Sequence, residues 1–187
     1  LGLAAGYPLS IAFVSVSKAK AREAGFSYLV NFVYDSPYFM REFAPDPRIT
    51  GSLKFPKHIT VAPVVTNANG VISNNLIGLL IDEAAFMRTV ADSKLARGTE
   101  TIYDQGWEIY TQAVTRMTSR FEREGVMMPG KVIIASSAQF PDDMVSRRIL
   151  QVRQGDLKGV LISELSLWAA KPPNQYSKAT FQVEVGD

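Results

Sequence analysis

Apolar and polar positions change period along the chain, and each change of period marks a predicted element. The run Ser10 to Val16 is β-prone and gives way at Ser17, a natural N-cap, to a helix-forming stretch that should continue to about Tyr34. A second, short helix is predicted over Tyr38 to Phe43, because Ser36-Pro37 combines a capping serine with a proline in the first helical position. The chain thus opens with a strand and two helices.

Further apolar runs predict a hairpin and two buried strands. Ser52 to Phe55 and His58 to Val65 are short β-type runs joined at Pro56-Lys57, and together they predict a hairpin. Leu76 to Ile81 is apolar at every position, and Val132 to Ala135 repeats this pattern. Both are predicted to be buried on two faces, as strands of a parallel sheet are.

The remaining patterns predict helices and strands in alternation. Pro141 to Asp143 begins a helix, and Gly159 to Leu167 and Thr180 to Val185 are predicted strands. Strands that alternate with helices predict an α/β domain with a mainly parallel sheet flanked by helices. The strongest helical pattern steps by four and three residues and predicts one face packed in the core, made of Tyr103, Trp107, Tyr110, Val114, Met117 and Phe121.

Composition and charge exclude several classes of protein without indicating a partner. The 187 residues, 47% of them hydrophobic, suit a single domain over residues 1–187. A formal charge of +2 is far from that of a dedicated nucleic-acid-binding tail, and the lack of cysteine excludes disulfides and thiolate metal sites. No apolar run has the length of a membrane span. Because the chain opens on Leu1 and stops on Gly186-Asp187 after a strand-like run, both ends are expected to be cut edges.

Polar residues follow the first of the two buried runs, where an open parallel sheet binds its ligands. Leu76 to Ile81 leads into Asp82 and Glu83, an apolar strand tipped by two acids, which is the pattern called Walker B in nucleotide hydrolases. Consecutive residues at a strand end point in different directions, so we assign Asp82 to the Mg²⁺ shell and Glu83 to polarising the attacking water. On the acids alone a second interpretation is equally open: Glu83 favours the N-terminus of a helix over Ala84 to Val90.

Hydroxyl side chains follow the second buried run. Val132 to Ala135 leads into Ser136, Ser137 and Ala138, whose hydroxyls could bond a γ-phosphate or the catalytic acid and report hydrolysis. The alternative is a helix cap or turn before Pro141, which small hydroxyl residues often supply.

Two other polar features are interpreted as structural. His58, the one histidine, lies in the predicted hairpin without an acid at ligand spacing. The cluster Lys18, Lys20 and Arg22 is interpreted as a solvated helix face rather than a DNA contact.

Taken in order, these segments resemble the ATPase domain of the large terminase of tailed phages. The similar segments are spread over nearly the whole length of the chain, at 10–21, 35–39, 49–61, 77–87, 132–138 and 181–187. The most specific are Asp-Glu-Ala-Ala after one strand and Ser-Ser-Ala, the coupling motif of the family, after another. The resemblance implies a P-loop NTPase sheet of the ASCE type with an inserted β-hairpin, and a nuclease domain downstream in the intact protein. It implies Glu83 as catalytic, Asp82 as the magnesium ligand, and Asp82, Ser136, Ser137 and Ala138 as ATP-site residues.

The function that the resemblance implies is an ATP-hydrolysing motor that moves double-stranded DNA into a viral procapsid, with ATP and Mg²⁺ bound. The implied partners are the portal protein and the small terminase subunit. The implied setting is a homo-oligomeric ring on the portal in the host cytoplasm, with no membrane.

The chain departs from the family in two places. No G-x-x-x-x-G-K-[ST] loop occurs, since Gly130-Lys131 is followed by Val132, so truncation before Leu1 is inferred and residues 1–187 alone are expected to be inactive. The trans-acting arginine is unplaced, with candidates Arg88, Arg97, Arg147 and Arg148. The alternatives are an ATPase lobe of a superfamily-two helicase, with its similar Asp-Glu-Ala-x and Ser-Ala-Thr motifs, and a non-enzymatic nucleic-acid-binding remnant.

Overall fold

The computed structural model describes residues 6–64, 75–87, 89–91, 102–121, 130–137, 143–175 and 179. They belong to two compact units, Leu1–Arg148 and Ile149–Asp187, which are described separately. That both belong to one domain over 1–187 remains a prediction.

The first unit is built on a five-stranded sheet in the order β2-β3-β1-β4-β7. Strands β1, β3, β4 and β7 run parallel, and β2 runs antiparallel to β3 at one edge. A separate two-stranded antiparallel sheet joins β5 to β6. The bounds are β1 Leu9–Val14, β2 Leu53–Phe55, β3 Ile59–Pro63, β4 Leu76–Asp82, β5 Thr89–Ala91, β6 Ile102–Asp104 and β7 Lys131–Ala135. The predicted parallel sheet and the predicted hairpin, β2 to β3 around a 3₁₀ turn at Pro56–His58, are confirmed.

Successive residues of β1 point to opposite faces of this sheet, and each face has its own core. Ala12 and Val14 join a cluster with β4 residues and the long helix after β6, whereas Phe13 joins a cluster with the helix after β1. Helices therefore cover both faces, which is the α/β arrangement that the sequence predicts.

Strand β7 differs from the prediction of a strand buried on both faces. Its residues alternate between exposed and half-buried, and the Ile133 side chain is 55% exposed. Among the described residues β7 pairs with β4 and with no second strand, so it lies at the edge of the described sheet. An apolar run alone does not distinguish a central strand from an edge strand, because the difference lies in the neighbours.

The helix after β1 begins where predicted and has an unusual middle. It consists of α1 (Lys18–Lys20), a π-helical segment (Ala21–Phe26) and α2 (Ser27–Asp35), and the Ser17 hydroxyl caps it by accepting from the Lys20 amide at 3.2 Å. The first and last residues of the π-helical segment are both buried, at 0% and 3% exposure. Because i to i+5 hydrogen bonding widens the turn, residues five positions apart reach the same core face.

The short helix α3 (Pro37–Glu42) is confirmed in position and in its proline start. Ser36 occupies the N-cap position as predicted, but its side chain makes no capping hydrogen bond. The helix is instead held against the hairpin by aromatic packing, with the Phe39 and Phe43 rings 5.7 Å and 5.3 Å from the Phe55 ring.

The long helix α4 (Gln105–Phe121) is confirmed, but its buried face is rotated from the predicted stripe. Trp107 and Tyr110 are half-buried at the rim of the core, and Tyr103 lies on β6 instead of the helix. The buried face combines the small residues Gly106 and Ala113 with larger apolar ones, and it shares only Met117 and Phe121 with the predicted stripe. The buried residues are Gly106, Ile109, Ala113, Met117 and Phe121.

The next helix, α5 (Met144–Gln154), starts as predicted, because the Asp143 carboxylate accepts from the Ser146 amide at 2.7 Å. In the second unit, the predicted strand Gly159 to Leu167 is wrong. Residues 159–166 have no regular structure, and Leu161 is 95% exposed. A strand needs a hydrogen-bonded neighbour, and the described residues supply none here.

The rest of the second unit is short. It contains α6 (Leu167–Ala170) and a 3₁₀ turn at Pro173–Gln175, and an Arg153–Glu164 ion pair of 2.6 Å closes the segment back onto α5. The predicted strand Thr180 to Val185 lies outside the described residues. Among the described helices, none combines the length and the apolar character that crossing a bilayer requires.

Candidate functional site

The carboxyl ends of β4 and β7 lie side by side in the central sheet. Asp82, the last residue of β4, is opposite Ala135, the last residue of β7, in the parallel ladder. Because the two strands end in register, the residues that follow, Glu83 and Ser136, leave the sheet at the same edge. The fold thus brings together the two polar segments that were predicted to form one site.

Glu83 opens a tight turn with an unusual backbone. It adopts left-handed angles, φ 55° and ψ 39°, and a single 3₁₀ turn (Ala84–Phe86) follows. The Phe86 amide donates to the Glu83 carbonyl at 3.0 Å, and the Met87 amide donates to the Ala84 carbonyl at 3.2 Å. The side chains of Ala84 and Met87 are buried in the core. The turn is therefore anchored from inside while Glu83 points outward, with its side chain 42% exposed.

This turn removes the basis for reading Glu83 as a helix-dipole residue. The predicted helix from Ala84 to Val90 is wrong, because the 3₁₀ turn ends at Phe86 and β5 begins at Thr89. A single turn sums too few peptide dipoles to attract a carboxylate appreciably. Holding a non-glycine residue in the left-handed region costs about 1–3 kcal/mol, and such residues concentrate at functional sites. The strain at Glu83 motivates a functional hypothesis for it.

Ser136 contacts the acidic turn directly. Its hydroxyl accepts from the amide of Ala85 at 3.0 Å and donates to the carbonyl of Ser137 at 3.2 Å. The Ser137 side chain is exposed, and Ala138 lies outside the described residues. Ser136 therefore lies close to the acidic turn and caps the turn that Glu83 begins. The alternative, a cap or turn before Pro141, falls outside the described residues.

A lysine from the helix after β1 also reaches Glu83. The Lys20 ammonium lies 3.8 Å from the Glu83 carboxylate, with the two side chains 62% and 42% exposed. At that exposure solvent screens the pair, so its contribution to stability is small. Lys18 and Arg22 are exposed, as expected of a solvated face, whereas Lys20 belongs to the site. No local pattern indicated this, because the contact depends on β1 lying next to β4.

Asp82 is the acidic side chain at this edge of the sheet that was predicted to bind a metal ion. The Asp82 carboxylate is half-buried and makes no ion pair or hydrogen bond with another described residue. In the described part of the chain, no three His, Asp or Glu side chains lie close enough together to hold a metal ion. Mg²⁺ is commonly held by one or two carboxylates together with substrate phosphates and water, and magnesium binding by Asp82 stays a prediction.

Two of the candidate arginines have partners within the first unit. Arg147 forms an ion pair with Asp104, whose carboxylate also accepts from the Trp107 amide at 3.0 Å and so caps α4. The Arg148 guanidinium stacks over Trp107 and Tyr110, 4.2 Å and 3.9 Å from the ring centroids. Burial lowers the pKa of Arg148, and the charge interaction with Tyr110 opposes that shift. These contacts are structural uses of both side chains, while Arg88 and Arg97 lie outside the described residues.

Two features remain from the sequence. His58 is exposed in the hairpin turn, at φ 59°, and its interpretation as structural stays a prediction. Gly130, which precedes Lys131, lies against α4: a Cβ at this position would be 2.5 Å from the Met117 sulfur. Close packing against Met117 accounts for a glycine at this position, and Val132 after Lys131 departs from the phosphate-loop pattern.

Comparison of the chain with protein-family models and with curated proteins found no match.

Proposed function

We propose that this chain is the ATP-hydrolysing motor domain of a viral DNA-packaging terminase, with a P-loop NTPase type of sheet. One observation carries the proposal: the acidic turn after β4 and the serine segment after β7 meet at the carboxyl edge of a parallel sheet, joined by the 3.0 Å bond from Ala85 to Ser136. That edge is where open α/β sheets bind their ligands. The reaction and the substrate class come from the resemblance to large terminases of several segments, taken in their order along the chain.

The chemistry in this proposal is the attack of water on the γ-phosphate of ATP, in line with the departing ADP oxygen. Glu83 orients and polarises the water, and its exposed carboxylate on an anchored turn is suited to that role. Asp82 would hold Mg²⁺, which neutralises charge on the phosphates when bound. Ser136, Ser137 and Ala138 form the segment that couples hydrolysis to movement.

The proposal requires a phosphate-binding loop, which the chain does not contain. The position of β7 at the edge of the described sheet, with β4 as its one described partner, is compatible with one more strand beside it. A parallel strand at that position would end beside Ser136, and a loop following it would reach the same carboxyl edge.

The partners belong to the proposal as well. They are double-stranded DNA, the portal protein and the small terminase subunit, with several copies of the motor in a ring on the portal in the host cytoplasm. DNA contacts on this chain are not assigned, because its charge is nearly balanced.

The deciding experiment is Glu83→Gln in the full-length protein that contains this chain. We expect ATP to bind with unchanged affinity, measured by titration calorimetry, while turnover falls by about 10²- to 10⁴-fold, the range for loss of a positioned proton-accepting group. Glu42→Gln is the matched control, because Glu42 is exposed on α3 and lies outside the site. Unchanged turnover in Glu83→Gln refutes the assignment, and absence of ATP binding in the parent protein favours the non-enzymatic alternative.

A further inference from the structure

We propose that Ser136 is a positioning residue which holds the turn that presents Glu83, and that Ser137 is the hydroxyl free to face a bound phosphate. This inference rests on the proposed function for its catalytic consequence, but its structural part is measurable without any activity. It replaces two equivalent sensor serines by two residues with different tasks.

The Ser136 hydroxyl has limited capacity for further hydrogen bonds. A serine hydroxyl has one proton to donate and two lone pairs to accept with. The proton goes to the Ser137 carbonyl at 3.2 Å, and one lone pair accepts from the Ala85 amide at 3.0 Å. Donation to a phosphate oxygen would therefore require Ser136 to release the Ser137 carbonyl. The Ser136 proton and one of its lone pairs are thus already used in hydrogen bonds within the protein.

The hydrogen bond from the Ala85 amide to Ser136 caps the turn that follows Glu83. The amides at the start of any helical turn lack internal partners, and usually the preceding residue caps one of them. That residue here is Glu83, whose side chain makes no capping bond. Ser136 supplies the missing acceptor from a different strand. A cap from β7 ties the left-handed backbone of Glu83 to the end of the neighbouring strand.

Ser137 differs from Ser136 in its exposure and in its hydrogen bonds. Its side chain is exposed, and its hydroxyl has no hydrogen-bond partner among the described residues. It follows Ser136 directly and leaves the sheet at the same edge. Of the two serines, Ser137 is the one that can donate to an incoming anion without breaking a side-chain hydrogen bond to a described residue.

The test measures hydrogen exchange at the Ala85 amide in the full-length protein, together with kcat and KM for ATP. Ser136→Ala should accelerate exchange at Ala85 by about fivefold, the factor for losing one typical hydrogen bond, and should lower kcat with little change in KM. Ser136→Thr keeps a hydroxyl and should restore both values. Ser137→Ala should leave Ala85 exchange unchanged and weaken ATP binding.

The outcomes separate this inference from the proposed function. Unchanged Ala85 exchange in Ser136→Ala overturns the positioning role, and so does a rise in KM with constant kcat, which a direct phosphate contact predicts. An unchanged KM in Ser137→Ala overturns the assignment of Ser137. If Glu83→Gln keeps full turnover, the motor proposal fails, while the exchange measurement still decides whether Ser136 holds the turn.

Discussion

Replacement of Gly25 by alanine tests how closely the π-helical segment must approach β1. Gly25 lies in that segment, against the ring of Phe13 on β1. A Cβ at Gly25 would overlap the Phe13 Cζ and would lie 2.5 Å from Cε1, whereas ordinary contacts begin at 3.4 Å. Phe13 is 6% exposed in the core that joins this helix to the sheet, so the ring has little room to move aside.

The size of the effect follows from two opposing terms. Forcing extra volume into a packed core costs about 1–3 kcal/mol, and a clash of about 1 Å with a buried ring belongs at the upper end of that range. Alanine in a helix regains up to about 1 kcal/mol over glycine. We therefore expect Gly25→Ala to lower the free energy of unfolding by about 2 kcal/mol.

Urea unfolding of the full-length protein, followed by tryptophan fluorescence, measures this change. Gly51→Ala is the control, since no atom lies within 4 Å of its added Cβ and its φ is not positive, and it should stay within about 0.5 kcal/mol of the parent. The double variant Gly25→Ala with Phe13→Leu should recover part of the loss, because a smaller side chain relieves the overlap. A Gly25→Ala protein as stable as the parent refutes the close-packing argument.

Two other predictions concern the core and the site. Met117→Ala should cost about 2–5 kcal/mol of unfolding free energy, because Met117 is 0% exposed and fills the space beside Gly130. Met40→Ala, at a side chain 44% exposed, should change it by less than about 0.5 kcal/mol, and equal losses in the two variants would contradict the described core. Lys20→Met should change stability by less than about 1 kcal/mol, with the difference vanishing in 1 M salt, since both partners of the Lys20–Glu83 pair are solvent-exposed. A larger or salt-independent loss measured by urea unfolding would indicate a buried role for Lys20.

The acidic turn and the serine segment illustrate how a sheet assembles a site from distant parts of a chain. Glu83 and Ser136 are far apart in sequence, and each belongs to a different strand ending. In-register pairing of β4 with β7 brings these endings to the same place, and the Ser136 cap then links them directly. We therefore expect a substitution at Ser136, after β7, to alter the backbone turn that carries Glu83, the proposed water-polarising acid.

Features that depend on interactions between neighbouring residues could be predicted from the order of amino acids alone. The Ser17 cap, the proline start of α3 at Pro37, the Asp143 start of α5 and the apolar strand β4 were all predicted where they occur. Each depends on interactions within one turn of helix or along one strand, and these can be read directly from residue spacing. The two polar segments indicated the candidate site because each directly follows an apolar strand and because their order resembles that in large terminases.

Which neighbours each element has depends instead on how distant segments pack. That packing puts β7 at the edge of the described sheet, turns the Trp107 side of α4 toward the rim, and leaves the Gly159 to Leu167 run without a strand partner among the described residues. It also brings Lys20 to Glu83 and Ser136 to Ala85. Burial, pairing and capping across strands depend on the packing of segments distant in sequence, and residue spacing within a single segment carries no record of that packing.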